Sequence, residues 1–130
     1  ELPAKIENKI LCQMTKEQEK VYNSFIMQAK QEFENEIHAN GFQKSQIKIL
    51  ALLTRLRQIC CHPSLFLENY KGESGKMSAL GELLHDAIDG QHRVLVFSQF
   101  TSMLAIIRSH LHNEKNSHFY LFFHNFSKIK

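Results

Sequence analysis

The spacing of apolar residues over the first part of the chain predicts a strand followed by two helices. Apolar and polar side chains alternate over residues 5–14, which is the period of a β-strand with one buried face. Thr15 and Gln18 then form a capping box, in which each side chain satisfies a backbone donor of the other residue at a helix start. Apolar residues recur at helical spacing over residues 16–40, and Asn40-Gly41 ends this helix because glycine readily forms a left-handed C-cap.

A second helical pattern covers residues 44–61. It ends before His62-Pro63, since the residue before a proline disfavours the α conformation. Its apolar residues occupy more than one stripe of the helix, which predicts packing between other elements. A short helical turn is expected at residues 63–66. Residues 69–75 are the most loop-like stretch of the chain, and we place the domain boundary there.

After this loop, the pattern changes to two helices with a buried strand between them. Residues 77–88 form an amphipathic helix closed by Gly90, residues 94–97 are a continuous apolar run, and residues 103–111 form another helix. This order is typical of a parallel α/β layer. With residues 118–123 as the next strand, it predicts a right-handed β-α-β crossover. Because two strands are too few for a stable parallel sheet, we expect an incomplete domain whose unpaired sheet edge promotes self-association.

Composition adds that this is a globular chain with a modest positive charge. It has 130 residues, of which 43% are hydrophobic and 22% charged, enough to bury a core. A net charge of +3 permits nucleic-acid binding without requiring it. Cys12, Cys60 and Cys61 are too few for a disulfide framework, which favours reduced thiols in a cytoplasmic protein. We expect no membrane partner, because no apolar run spans a bilayer and the start is not a signal peptide.

Two sequence features resemble ligand motifs but have the wrong spacing. Residues 72–76 read Gly-Glu-Ser-Gly-Lys, but a phosphate-binding P-loop requires Gly at the place of Tyr70 and Ser or Thr at that of Met77. Ser74 is better explained as a helix N-cap. The contiguous residues 60–62, Cys-Cys-His, cannot wrap a tetrahedral zinc ion, and we expect buried thiols at a helix end instead.

The residues that follow the apolar run 94–97 are better candidates for binding. Ligands of open α/β sheets gather beyond the carboxyl ends of strands, where Ser98, Gln99 and Thr101 offer hydrogen-bond donors suited to a phosphate group. The alternative is a simple helix cap. On the second helix, Arg57 could form a forked contact with a phosphate or a carboxylate, whereas a solvated helix face is the alternative there.

Several sequence blocks together resemble one known family. They are Leu2-Pro3 with Lys5 and Glu7, Met14-Thr15 through Gln18 to Tyr22, L-R-Q-I-C-C-H-P at 56–63, Ser74-Gly75-Lys76 with Leu80 and Leu83-Leu84, and R-V-L-V-F-S-Q-F at 93–100. In this order the series closely resembles the Swi/Snf family of DNA-dependent ATPases, in its bacterial helicase-like branch. The blocks at 56–63 and 96–100 are the most specific ones.

The resemblance implies a fold that is mainly α with a small α/β part. Residues 1–70 would form an inter-lobe strand and a helical protrusion or brace, and residues 71–130 would begin the second of two RecA-like lobes, as an incomplete parallel β-α-β unit. Phe97 to Phe100 resemble helicase motif IV, so Ser98, Gln99 and Thr101 would contact a DNA backbone phosphate, which positions DNA without reading its sequence. Arg57 and Lys76 are candidates for contacts to DNA or to a neighbouring lobe.

The resemblance also implies a larger parent protein that hydrolyses ATP with Mg²⁺ and moves along duplex DNA in the cytoplasm, associated with the nucleoid. The motifs for ATP and metal lie outside this sequence, so we expect no catalytic residue, metal ligand or cofactor here and no ATPase activity from this chain alone. Residues 122–130 fit no family motif, and with the missing initiator Met they suggest a truncated piece. The alternative is a non-catalytic helical module that self-associates or binds a partner.

Overall fold

The computed structural model describes residues 3–113, which form three α-helices. Helix α1 spans Lys16–Cys61, α2 spans Gly75–Asp89 and α3 spans Thr101–Asn113. A 3₁₀ turn, Pro63–Leu65, follows α1 directly. The predicted mainly α fold is confirmed for these residues.

Helix α1 begins at the predicted capping box. The Thr15 hydroxyl accepts a hydrogen bond from the Gln18 backbone N–H at 3.1 Å, and the Gln18 side-chain oxygen accepts from the Thr15 N–H at 3.4 Å. The helix ends at His62, whose backbone N–H donates to the carbonyl of Gln58 at 2.9 Å. Both ends of α1 therefore lie where the capping residues and Pro63 predict them.

At Gly41, α1 breaks into an antiparallel hairpin of two helical segments, 16–40 and 42–61. Gly41 has φ 75° and ψ 164°, a conformation that costs little only for a residue without a side chain. The Ser45 hydroxyl donates to the Gly41 carbonyl at 2.8 Å and lies 3.4 Å from that of Glu36, so it closes the bend. Glu36 also forms an ion pair with Lys48 on the other segment.

The hairpin covers only one side of its second segment. A groove of about 580 Å³ lies between the segments, with Phe33 and Leu52 among the residues that line it. On the other side, Ile47 is 82% exposed and Leu50 is 63% exposed. The prediction that this segment is packed between other elements is wrong within residues 3–113, because a two-segment hairpin can bury only the facing stripe of each helix.

Helices α2 and α3 share a small apolar core. Ser74 caps α2 as predicted, since its hydroxyl accepts from the Met77 N–H at 3.1 Å, and Gly90 follows the last turn. The buried apolar side chains of this core recur at helical spacing on both helices: Met77, Leu84, Met103, Leu104, Ile107 and Leu111. Cys61 and Leu65 pack against it, so the end of α1 is joined to α2 and α3 by apolar contact.

The predicted strands are not formed within residues 3–113. Residues 5–14 and 94–97 have no regular secondary structure, and Ile6 and Leu95 are exposed. A strand requires a neighbour that pairs with its backbone N–H and C=O groups. The second strand of the β-α-β unit, at residues 118–123, lies outside the described residues, as does the stretch 122–130. The sheet edge through which self-association was predicted is therefore not found among the described residues. Within the same residues, no helix is long and apolar enough to cross a bilayer.

Candidate nucleic-acid interface

A buried glutamine joins the start and end of α1 to the start of α2. Gln18 is 1% exposed. Its side-chain Nε2 donates to the carbonyl oxygens of Ile59 at 2.8 Å and Cys60 at 3.3 Å, and its Oε1 accepts from the backbone N–H of Gly75 at 3.1 Å. These backbone groups at the helix ends would otherwise lack partners. We call Gln18 with Ile59, Cys60 and Gly75 the junction.

Two further contacts close the junction from its sides. The Ser74 hydroxyl donates to the carbonyl of Cys61 at 2.8 Å while it caps α2, so one buried side chain ties the end of α1 to the start of α2. The Thr15 hydroxyl donates to the carbonyl of Glu73 at 3.2 Å. Residues 72–76, which superficially resemble a phosphate-binding loop, are therefore occupied in holding helix ends together.

Burial favours the neutral form of Cys60 and of His62 at the end of α1. Desolvation raises the pKa of the Cys60 thiol, and the positive charge of Lys76 only partly opposes this effect. Burial lowers the pKa of His62. The His62 Nδ1 lies 2.7 Å from the Ser64 hydroxyl and accepts from the Ser64 N–H at 3.2 Å. Nδ1 is therefore an acceptor, and His62 caps the 3₁₀ turn as a neutral ring.

The predicted phosphate-binding residues lie where the segment after α2 turns into α3. The Ser98 hydroxyl accepts from the Phe100 N–H at 3.2 Å, so it shapes the turn before the helix. Gln99 is exposed, and Thr101 is the exposed first residue of α3. The structure thus places all three at one helix N-terminus, where backbone N–H groups and the helix dipole favour an anion.

The structure brings one of the basic candidates to this turn. The guanidinium of Arg57, near the end of α1, donates a hydrogen bond to the side-chain oxygen of Gln99, although the two residues are 42 positions apart. Lys76 lies instead in the first turn of α2 and acts electrostatically on Cys60. Arg57, Ser98, Gln99 and Thr101 together are called the turn site below.

The turn site differs from a metal centre in its chemistry. Its side chains are hydroxyls, an amide and a guanidinium, which suit an oxyanion and not a metal ion. Among residues 3–113, no group of three or more His, Cys, Asp or Glu is arranged to hold a metal ion.

Sequence reasoning recognised Gln18 only as part of a local capping box. Its second role at the junction depends on residues more than forty positions away, and nothing in the local sequence reports it. The contact between Arg57 and Gln99 could not be predicted for the same reason, although each residue was predicted separately as a candidate for binding phosphate.

The amino-acid sequence matches the SNF2-related domain over residues 1–65. The chain belongs to this family. It is 35% identical over 121 residues to the mouse chromodomain-helicase-DNA-binding protein 1-like, and this alignment covers 85% of the chain. It is 32% identical over 132 residues to the human DNA excision repair protein ERCC-6, with 88% of the chain covered. The Bacillus subtilis protein YwqA, whose name describes an ATP-dependent helicase/translocase, is 34% identical over 108 residues, or 78% of the chain.

These SNF2-related relatives are much longer proteins. The chain spans 13% of the mouse protein, 8% of the human protein and 11% of the bacterial one. The alignments extend beyond residue 65, since each covers well over half of the chain. The family match and the identities to these relatives both confirm the resemblance to Swi/Snf helicases. No solved structure matches the chain.

Proposed function

We propose that this chain supplies the helical brace and a DNA-phosphate contact of a Swi/Snf-like ATP-dependent DNA translocase. In this assignment, residues 1–70 connect two RecA-like lobes and residues 71–130 begin the second lobe. Residues 94–97, which have no regular secondary structure here, become the first strand of its β-α-β unit when the parent protein supplies a neighbouring strand. The contact between Arg57 and Gln99 carries the proposal, because it joins the brace helix α1 to the turn that precedes α3. The names of the relatives, which include helicase and translocase, support the same assignment.

The turn site has the chemistry to hold one backbone phosphate. Gln99 and Thr101 are exposed at the start of α3, where the N–H groups of a first helical turn favour an anion, and Arg57 donates to the Gln99 side-chain oxygen. Phosphate contacts of this kind fix the position of a DNA strand without reading bases. We therefore expect equal affinity for duplexes of unrelated sequence, and an affinity that falls steeply with salt because counterions are released on binding.

ATP and Mg²⁺ belong, in this proposal, to other parts of a parent protein that works on DNA in the cytoplasm. A P-loop requires a Gly-Lys pair, and the single such pair in the sequence, Gly75-Lys76, has Tyr70 and Met77 where the motif needs Gly and Ser or Thr. The purified 130-residue chain should therefore show no DNA-stimulated ATP hydrolysis. Hydrolysis above the level of a mock purification would contradict this part of the proposal.

The DNA contact is tested by fluorescence anisotropy with two labelled duplexes of unrelated sequence. Both should bind weakly and lose affinity from low to high salt. Gln99→Ala should weaken binding about tenfold, the loss expected for one hydrogen bond to a charged group. Gln46→Ala, an exposed glutamine on α1 away from the turn site, is the matched control and should bind as the wild type does. Equal effects of the two variants, or an affinity that ignores salt, would reject the contact.

One observation favours the second candidate, a helical module that self-associates. Ile47, Leu50 and Leu53 are spaced three residues apart on one face of α1, and all are more than half exposed. Burial of such a face against a second copy would be favourable. Light scattering separates the candidates: a particle of twice the monomer mass that Leu50→Lys returns to monomer supports this module, whereas a monomer at high concentration excludes it.

A further inference from the structure

The hydrogen bond between Arg57 and Gln99 determines which end of the glutamine amide faces a ligand. A guanidinium carries donors and no acceptor, so the amide atom that it contacts must be the oxygen. In the structure, the Arg57 guanidinium accordingly donates its hydrogen bond to Gln99 Oε1. In a planar amide, the NH₂ group is then held away from Arg57 and remains available as a donor.

This orientation matters because a phosphate offers only acceptors. A glutamine side chain free to rotate presents its oxygen to a phosphate in about half of its orientations, and that arrangement is repulsive. Gln99 is exposed, so packing does not select one orientation for it. Arg57 provides the selection, because its guanidinium offers only donors and therefore holds the amide by its oxygen.

We infer that Arg57 is a positioning residue, and this inference rests on the proposed function. Arg57 binds the Gln99 side-chain oxygen and thereby presents the Gln99 NH₂ group to a DNA phosphate. The hydrogen bond crosses from α1 to the turn before α3, so the donor is correctly presented only when these elements lie together. Separation of α1 from the turn releases the amide and weakens the phosphate contact. DNA binding at the turn site is thereby coupled to the position of the brace helix.

A double-mutant cycle separates positioning from a direct phosphate contact by Arg57. Arg57→Met and Gln99→Ala should each weaken DNA binding about tenfold, and the double variant should bind within about twofold of Gln99→Ala alone. If Arg57 acts on the phosphate by its own contact or its charge, the two losses multiply in the double variant, which overturns the inference. Arg57→Lys keeps a donor for the amide oxygen and should retain most of the affinity.

Gln99→Glu distinguishes presentation of a donor from a structural link between the elements. A glutamate keeps the contact to Arg57 as an ion pair but has no NH₂ group. We expect its DNA binding to fall at least as far as that of Gln99→Ala. Wild-type affinity in Gln99→Glu would show that the contact serves only to hold α1 against the turn, and would overturn the inference.

A spectroscopic measurement reports on the amide directly. Addition of a short duplex to the isotope-labelled wild-type chain should shift the NMR signal of the Gln99 side-chain NH₂ group, and Arg57→Met should abolish this shift. An equal shift in both proteins would contradict positioning by Arg57. If the wild-type chain binds no DNA at all, the proposed function itself fails, whereas DNA binding with multiplying losses removes only the role of Arg57.

Discussion

The side-chain Nε2 of Gln18 donates a hydrogen bond to the backbone carbonyl of Ile59 at 2.8 Å, across 41 positions of sequence. Ile59 is fully buried, so solvent water cannot replace Gln18 as the hydrogen-bond partner of its carbonyl. The same glutamine accepts from the Gly75 N–H. The start of α1, the end of α1 and the start of α2 therefore meet at the Gln18 side chain. If one of these helix ends moves away, the Ile59 carbonyl or the Gly75 N–H loses its hydrogen-bond partner.

Replacement of Gln18 by Met should lower the free energy of unfolding by about 1–3 kcal/mol, the cost of buried backbone groups left without partners. Urea denaturation followed by helicity measures this loss. Gln28→Met is the matched control, because Gln28 lies on the same helix and is exposed, and its side chain donates to Glu32 at 3.0 Å on the helix surface. The control should change stability by no more than about 0.5 kcal/mol. Equal losses in the two variants would show that the junction adds nothing.

Two glycines of α2 should respond in opposite directions to the same substitution. A Cβ on Gly75 would lie 1.7 Å from the carbonyl oxygen of Gln13, so Gly75→Ala forces the chain before α1 away from the junction. We expect a loss of about 1–3 kcal/mol of stability. A Cβ on Gly81 would have its nearest neighbour, the His110 Nε2, at 4.0 Å. Gly81→Ala should stabilise by about 0.5–1 kcal/mol through helix propensity alone. Thermal unfolding of both variants tests the pair, and a stable Gly75→Ala would refute the close approach.

The stability of the chain should fall as the pH drops below 6.5 because of His62. Burial lowers the pKa of this ring from its ordinary value of 6.5. The unfolded state therefore takes up a proton at a pH where the folded state does not. The stability contributed by the neutral His62 ring is complete above pH 6.5 and is lost as the pH falls through the folded pKa. Protonation also removes the Nδ1 acceptor that the Ser64 N–H uses.

His62→Asn is the matched variant for this pH dependence. Asparagine is a good N-cap that can accept from the Ser64 N–H without titrating. Its urea midpoint should vary less than that of the wild type between pH 7.5 and pH 5, since about one titrating group is removed. Parallel midpoint curves for the two proteins would show that His62 does not sense pH in the folded state.

The ion pair at the hairpin bend should be visible in the titration of Glu36. Its pKa is lowered from the ordinary value of 4.5, mainly by the hydrogen bond from Lys48 and then by that from Asn40. Lys48→Met should raise the pKa measured by NMR toward the ordinary value, and Asn40→Ala should raise it less. Since the folded pKa is the lower one, the pair stabilises the hairpin above pH 4.5 and is lost as the pH falls through the folded value. An unchanged pKa in Lys48→Met would exclude the pair in solution.

The helix ends could be predicted from the sequence because each depends on residues a few positions apart. The capping box at Thr15, the break at Gly41, the stop before Pro63 and the cap at Ser74 are all found where local chemistry placed them. The strands at residues 5–14 and 94–97 could not be predicted in this way. Their formation depends on partners across a sheet, and residues 3–113 contain none.

The amino-acid sequence by itself determined the helices, their ends and the family to which the chain belongs. Only the tertiary structure decided that Gln18 reaches Ile59 and Gly75, and that Arg57 reaches Gln99. The reason is physical. A capping contact is made within one helical turn, whereas these side chains meet because the chain reverses at Gly41, which returns α1 to its own start and places its last turns beside α2 and the turn before α3.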